Sequence, residues 1–241
     1  MVRLSFVAAS LLAIATWLHA PGISEAAEVS NAAVPAPSTQ QDDVKQLLSV
    51  VLAETEDFWG ATFKAGGSTY EEPKLVLFTG LIATACGPVS GTLYCAQDHK
   101  IYLDPAFPEL REIGLTGDFA KALIVAREVG HHVQNISEIP RPDVTDGNQD
   151  AAIIRSEQVE LQADCFAGLW SRHVLDKHLL DDTDLTEARD LLRSLGDDQA
   201  VNASKGSAAT RYGTSEQRIR WYDRGLAGKA IADCNTSDNP L

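Results

Sequence analysis

The chain has 241 residues, of which 44% are hydrophobic and 22% charged, a composition typical of a folded domain. It carries 20 Lys and Arg residues against 34 Asp and Glu residues, so its formal net charge is −14. A surface of that sign repels phosphate groups, which argues against nucleic acid or an anionic membrane surface as a partner. We therefore predict one acidic, folded domain with no nucleic-acid partner.

The N-terminal segment 1–26 is typical of a signal peptide. Arg3 precedes an apolar run over residues 4–18, which at about 1.5 Å per residue is too short to span a hydrocarbon layer of about 30 Å. Small residues at Ser24 and Ala26 provide a cleavage pattern. We predict an exported protein, periplasmic or secreted. An uncleaved anchor over residues 4–18 is the alternative, and it is the one predicted contact with a membrane.

Residues 27–41 are rich in Ala, Pro, Ser and Gln and have no apolar period, so they predict a low-complexity linker. From Asp42 the apolar residues follow helical spacing, and we assign one domain to residues 42–241. Short runs of β-branched and aromatic residues, bounded by Gly and Pro, predict strands at Lys74–Phe78 and Lys100–Leu103.

The second half of the chain is predicted to be mostly helical. Thr116-Gly117-Asp118 offers N-caps to the first of these helices, and Thr214 and Ser215 offer caps to the last. The predicted helices cover about 119–135, 153–175, 185–195 and 216–226. The acidic run 181–184 resembles a calcium loop only in its acidity, and capping by Thr183 or Asp184 explains it more simply. The predicted fold class is α+β, mostly helical, with one small antiparallel sheet.

Export changes how the four cysteines are interpreted. In an oxidising compartment an even number predicts two disulfides, and four cysteines allow three pairings. We choose Cys86–Cys95, which would close a short loop between strand-like segments, and Cys165–Cys234, which would tie a helix to the C-terminal tail. Four buried free thiols are the alternative.

One segment carries residues typical of a metal-dependent hydrolase. A zincin helix has two histidines at i and i+4, and both bind the same Zn²⁺ ion. The Glu that follows the first histidine activates a metal-bound water. Here Glu128 and His131 fit the base and the second histidine, but the position of the first is Arg127. The apolar run before them predicts a buried helix, and buried charges need partners.

A second predicted helix supplies candidate partners. Glu157, Glu160 and Asp164 are spaced at i, i+3 and i+7, so they share one face of an otherwise apolar helix. A stripe of carboxylates in that setting is expected to face a cation.

The sequence resembles the bacterial neutral zinc metallopeptidases, exported or membrane-attached peptidases with a zincin-like fold. The resemblance runs from Tyr70 to Asn235 through ordered blocks: ACG at 85–87, YC at 94–95, IYLD at 101–104, EVGHHVQN at 128–135, ELQADCFAG at 160–168, GDDQ at 196–199 and GTSEQRIRWY at 213–222. It implies a zincin-like domain with a zinc cofactor and a peptide or protein as substrate or ligand.

The resemblance also implies roles for individual residues. His131 and Glu160 would be zinc ligands, Glu128 the general base, and Asp164 a partner that orients a ligand imidazole. The family usually has His at the position of Tyr212, whose hydroxyl would donate to a developing oxyanion. Arg127 and Tyr212 therefore depart from the family pattern at or near the expected site.

Arg127 removes one of three expected zinc ligands and adds a permanent positive charge. A unit charge ~4 Å from a divalent ion costs roughly 8 kcal/mol at an effective dielectric constant of ~20. We therefore expect Arg127 to occupy the metal region, paired with Glu160 and with Glu128, and hydrolysis to be weakened or lost. In the alternative, Arg127 swings outward and His132 or water completes a weak metal site.

Two functions follow from these alternatives. One is a zinc-dependent peptidase, and the other is a non-catalytic scaffold that binds a peptide or protein in the same cleft. Zincin-type clefts align an extended peptide along a sheet edge, so if binding is the function the resemblance implies that the ligand lies in the β region around Lys100–Leu103.

Overall fold

A computed structural model describes residues 37–137, 149–199 and 212–236, with side chains from residue 42 onward in the first range and from 156 in the second. The predicted signal peptide, and the linker as far as residue 36, lie outside the described residues. Among the described residues, no helix is long and apolar enough to cross a membrane.

The fold is α+β and mostly helical, as predicted. Its strands are β1 (Lys74–Leu77), β2 (Ile82–Thr84), β3 (Gly87–Val89), β4 (Thr92–Cys95) and β5 (Lys100–Leu103). Its α-helices are α1 (Pro37–Ala65), α2 (Pro108–Glu112), α3 (Asp118–Ile136), α4 (Gln149–Asp176), α5 (Asp182–Ser194) and α6 (Ser215–Ala227), and a 3₁₀ turn at Ile231–Cys234 follows α6.

The main sheet has three strands in the order β1-β5-β4. β4 runs antiparallel to β5, but β1 runs parallel to it, with Lys74 opposite Lys100. The predicted antiparallel pairing is therefore present between β4 and β5, and the parallel β1 makes the sheet mixed, because the chain passes through the antiparallel β2–β3 hairpin and β4 before it returns as β5. β5 is the central strand, so its two edges are both paired.

Helix ends follow the capping chemistry of the sequence. Thr214 caps α6 and forms a reciprocal capping box with Gln217. The acidic run before α5 is also a capping box, although the cap is Asp181 with Asp184 rather than Thr183 or Asp184 alone. α1 begins at Pro37, within the predicted linker, because proline is well accommodated in the first turn of a helix.

Both predicted disulfides are present. Cys86–Cys95 joins the turn between β2 and β3 to the end of β4. Cys165–Cys234 ties α4 to the 3₁₀ turn and closes a loop over a sequence separation of 69 residues. Long loops lose the most entropy on closure, so this second bridge restricts the unfolded chain more strongly.

The core lies between α3, α4 and α6. Most of the side chains of α3 are buried, including Leu123, Val125 and Val129, none of which is accessible to solvent. α4 packs along α6, and the two backbones approach closely because glycines face each other across the interface, at Gly168 of α4 and Gly225 of α6. This packing fixes the position of α4, and therefore of its carboxylates, relative to α6.

We predict that Gly225→Ala destabilises the protein, because an added Cβ would overlap the carbonyl oxygen of Cys165 on α4. Overpacking of this kind typically costs about 1–3 kcal/mol, and here the obstacle is backbone. Gly60→Ala in α1 is the matched control: an added Cβ there has no atom within 4 Å, so the higher helix propensity of alanine should stabilise the fold by about 0.5–1 kcal/mol. Urea unfolding measures both. Equal stabilities for the two variants would contradict the close approach of α4 and α6.

Candidate functional site

A buried cluster of charged side chains lies where α3 meets α4. α3 contributes Arg127 and His131, which are four residues apart and share a face, and Glu128 beside them. α4 contributes Glu160 and Asp164, also four residues apart. The side-chain exposure of Arg127 is 11% and that of Asp164 is 0%. The spacing within each helix therefore brings the two sets of side chains together.

Arg127 makes the central contacts of this cluster. Its Nη2 donates to Oε2 of Glu160 at 2.5 Å, and its Nε donates to Oδ1 of Asp164 at 2.6 Å. Its Nη1 lies 3.9 Å from Oε1 of Glu128, which is too long for a hydrogen bond. The expected pairing with Glu160 is thus present, the second strong partner is Asp164, and Glu128 is only nearby.

Asp164 is shared by two arginines. Arg218 on α6 donates from Nε to Oδ2 and from Nη2 to Oδ1 of Asp164, both at 2.9 Å, and from Nη1 to the carbonyl oxygen of Leu195. Asp164 therefore binds guanidinium groups, and an imidazole partner is not among its hydrogen bonds. The sequence reasoning missed Arg218, although a signal existed: it shares a buried helical stripe with Trp221, Tyr222 and Gly225.

His131 completes the cluster beside Glu160. Its Nε2 lies 3.5 Å from Oε2 of Glu160, and its Nδ1 lies 2.9 Å from Oε1 of Gln134. The amide nitrogen of Gln134 donates to the carbonyl oxygen of Val159 and to Gln162, so its oxygen faces His131 and Nδ1 of His131 carries the proton. Nε2 of His131 is consequently turned toward the carboxylate of Glu160.

The surrounding charges shift three pKa values. Burial by itself would lower the pKa of Arg127, but Asp164, Glu160 and Glu128 raise it above its ordinary value. Burial would likewise lower the pKa of His131, but Glu160 and Glu128 raise it. Burial would raise the pKa of Glu160, but His131 and Arg127 hold it below its usual range. Each group is therefore stabilised in its charged form by the others.

Glu128 is held by a strand rather than by a side chain. Its Oε2 accepts a hydrogen bond from the backbone N–H of Tyr94 on β4 at 2.6 Å, and the residue is buried. Because this contact comes from the backbone, the sequence contained no residue type that could have predicted it.

His132 faces away from the cluster. It is fully buried, and its ring nitrogens contact the hydroxyl of Tyr94 and the carbonyl oxygen of Glu71. Arg127 also points inward, so the alternative with His132 or water is wrong in its outward orientation of Arg127, and His132 does not reach the cluster.

Two further predicted residues lie at the margin of the cluster. Glu157 is buried, but it contacts Gln217 of α6 rather than a cation, and burial raises its pKa despite that hydrogen bond. The stripe on α4 therefore faces cations through two of its three carboxylates. Tyr212 is 49% exposed and lies on the wall of a cleft beside β4. Its role as an oxyanion donor stays a prediction.

The cluster forms the floor of a cleft beside β4. The cleft has a volume of about 660 Å³ and is lined by Thr92, Leu93 and Tyr94 of β4 together with residues of the cluster. A neighbouring cavity of about 720 Å³ shares Thr92, Arg127 and Glu128, so the two form one groove along the strand. The expectation of a ligand in the β region around Lys100–Leu103 stays a prediction. Because β5 is the central strand, the strand of that region that borders the cleft is β4.

Comparisons with known proteins identify the chain. The family described as "Putative neutral zinc metallopeptidase" matches residues 6–237. The chain belongs to this family. YpfJ, an uncharacterized protein of Escherichia coli (strain K12), is 38% identical over 211 residues that cover 83% of this chain and 73% of YpfJ. Rv2575, an uncharacterized protein of Mycobacterium tuberculosis (strain H37Rv), is 33% identical over 215 residues that cover 81% of this chain and 72% of Rv2575. No solved structure matches the chain.

The family name suggests zinc, but the donor set of this chain does not fit the ion. Catalytic zinc normally takes three protein ligands at about 2 Å. Only His131 and Glu160 approach one another here, and the Oε2 of Glu160 that faces His131 already accepts a hydrogen bond from Arg127. Across the described parts of the chain, no group of three His, Cys, Asp or Glu side chains could hold a metal ion. The guanidinium group of Arg127 thus lies at the position where the family's metal would need a ligand.

The depressed pKa of Glu160 gives a test of the cluster. A group whose pKa is lower in the folded state stabilises the fold above its unfolded pKa, and that stabilisation is lost as the pH falls from about 4.5 toward the folded value. We predict that Glu160→Gln lowers the free energy of unfolding at pH 7 and makes its decline between about pH 5 and 2 shallower than in the wild type.

Urea unfolding at a series of pH values measures this effect. Glu112→Gln is the control, since it removes an exposed carboxylate outside the cluster. It should leave the decline of the free energy of unfolding between about pH 5 and 2 unchanged. If the free energy of unfolding of Glu160→Gln falls as steeply with pH as that of the wild type, the pairing of Glu160 with Arg127 and His131 is contradicted.

Proposed function

We propose that this chain is an exported member of the neutral zinc metallopeptidase family that does not hydrolyse peptide bonds and instead binds an extended peptide or protein segment in the cleft beside β4. The observation that carries the proposal is the ion pair of Arg127 with Glu160 and Asp164. It places a fixed cation on the family's expected zinc ligand, so the reaction that the family name implies lacks its cofactor.

Export is supported by the two disulfides, since such bonds form and persist in oxidising compartments. The apolar segment 4–18 and the small residues after it provide the signal. The membrane-anchored form, in which that segment is retained, is the alternative arrangement of the same exported domain.

Peptide binding is supported by the geometry of β4. The carbonyl oxygen of Gly91 accepts a hydrogen bond from Asp104, and the N–H of Tyr94 points to Glu128 rather than to β5. Antiparallel pairing alternates, so the N–H and carbonyl groups of Thr92 also point away from β5, toward the cleft. An edge of this kind accepts an extended chain through main-chain hydrogen bonds.

We predict that the purified wild-type domain holds no stoichiometric zinc after dialysis against trace zinc, whereas Arg127→His holds nearly one ion per chain. The substitution removes the guanidinium and supplies an imidazole four residues before His131, which restores the ligand spacing of a zincin helix. Arg127→Gln is the control, because it removes the charge without adding a zinc ligand, and it should stay metal-free. Stoichiometric zinc in the wild type, measured by atomic emission, would contradict the proposal that hydrolysis is lost.

We predict that Thr92→Pro weakens peptide binding roughly tenfold or more, because it removes the N–H that faces the cleft while the ladder to β5 does not use that group. Thr92→Val is the matched control: it loses the side-chain hydrogen bond to Glu109 but keeps the backbone donor, and it should bind within about twofold of the wild type. The probe is a pool of random octapeptides that are N-acetylated and end in an N-methylamide. Retained peptides are quantified by mass spectrometry.

Hydrogen exchange provides a second measurement that does not depend on the proline variant folding. In the wild type, the same peptide pool should slow exchange at the amide of Thr92, while the amide of Leu93, which pairs with β5, is protected with and without peptide. Failure of the wild type to retain any peptide, together with unchanged exchange at Thr92, would rule out peptide binding at β4.

A further inference from the structure

Two polar atoms on the floor of the cleft stand side by side without a hydrogen bond. Nη1 of Arg127 and Oε1 of Glu128 are 3.9 Å apart, and both residues line the cleft and the adjoining cavity. In the described part of the chain, polar side-chain atoms that are both buried and without a hydrogen bond do not include these two. Because neither atom makes a hydrogen bond, both are accessible to solvent from the cleft. One is a donor and the other an acceptor, and both belong to charged groups.

The remaining polar atoms of these two residues are already engaged. Arg127 uses Nε and Nη2 on Asp164 and Glu160, and Glu128 uses Oε2 on the N–H of Tyr94. These contacts fix the orientation of both side chains before any ligand arrives. The pair is therefore a preorganised donor and acceptor on the lining of one cleft.

The chemistry of this pair selects a particular group. A carboxylate would accept from Arg127 but would face the acceptor of Glu128, and an ammonium or guanidinium would donate to Glu128 but face Arg127. A trans peptide group points its carbonyl oxygen and its N–H in opposite directions, so it reaches only one of the two atoms. A primary carboxamide presents its oxygen and one N–H on the same side and satisfies both.

We propose that the Arg127–Glu128 pair recognises the side-chain carboxamide of Gln or Asn in a peptide bound along β4. The inference rests on the proposed function, because it needs a peptide in the cleft, and it names the class of peptide that the cleft selects. The carboxamide oxygen accepts from Nη1 of Arg127, and its N–H donates to Oε1 of Glu128. The neighbouring backbone of the peptide pairs with Thr92.

The substitution Glu128→Gln tests the pair by reversing its preference. The N–H of Tyr94 requires an acceptor, so the new side chain turns its oxygen to Tyr94 and its nitrogen to the cleft. Arg127 and position 128 then offer two donors side by side, an arrangement that suits a carboxylate. The variant should therefore prefer Glu or Asp over Gln or Asn, whereas general damage to the cleft would weaken all peptides alike.

The experiment uses octapeptides, N-acetylated and ending in an N-methylamide, in which each position in turn is fixed as Gln, Asn, Glu, Asp or Leu and the others are random. On the wild type, Gln or Asn should be enriched over Glu, Asp and Leu at one position by about tenfold or more. On Glu128→Gln the enrichment at that position should pass to Glu or Asp. Glu216→Gln, which makes the same chemical change at an exposed position outside the cleft and the adjoining cavity, should keep the wild-type preference.

The outcomes separate this inference from the proposed function. Retention of peptides by the wild type without enrichment of Gln or Asn at any position overturns the inference and leaves peptide binding intact, as does a Glu128→Gln variant that keeps the preference for carboxamides. A wild type that retains no peptide overturns both. Circular dichroism and thermal unfolding of Glu128→Gln establish that the variant compared is folded.

Discussion

The carboxylate of Asp164 is the contact on which the arrangement of the functional site depends. It is fully buried on α4 and accepts hydrogen bonds from Arg127 of α3 and Arg218 of α6, so one side chain links the three helices that form the core. A buried charge that loses its partner is strongly destabilising, typically by about 3–5 kcal/mol. Each member of the group is therefore required by the others, and the relative positions of the three helices follow from their contacts.

Two guanidinium groups and one imidazole face three carboxylates in the cluster. Arg127, Arg218 and His131, whose pKa is raised by Glu160 and Glu128, lie against Glu128, Glu160 and Asp164. Without a cation at position 127, Glu160 and Glu128 would be left with excess negative charge, as they would be in a zincin without its metal. The guanidinium compensates that charge through a fixed side chain, which explains how the scaffold of a metallopeptidase persists with a donor set that does not fit zinc.

The helical positions, the capping boxes and both disulfides were predictable because they depend on local information. Thr214 and Gln217 are three residues apart, and the cap they form needs no distant partner. Pairing Cys86 with Cys95 follows from the short loop between them. Helical spacing likewise placed Arg127 with His131 and Glu160 with Asp164 on shared faces, and the chemistry of a buried arginine required carboxylates near it.

Tertiary structure alone decided which groups meet on those faces. Spacing along α4 could not tell that Glu157 turns to Gln217 while Asp164 is shared by two arginines, since both positions lie on the same side of one helix. It could not give the contact of Glu128 with a backbone N–H, nor the parallel pairing that makes β5 central and leaves β4 at the edge. The sequence by itself determined the fold class, the long helices and the presence of a cation at position 127. Long-range packing decided the partners of that cation and the strand edge that borders the cleft. The reason is that periodicity fixes the direction of a side chain on its own helix, but it carries no information about which other segment lies across from that side chain.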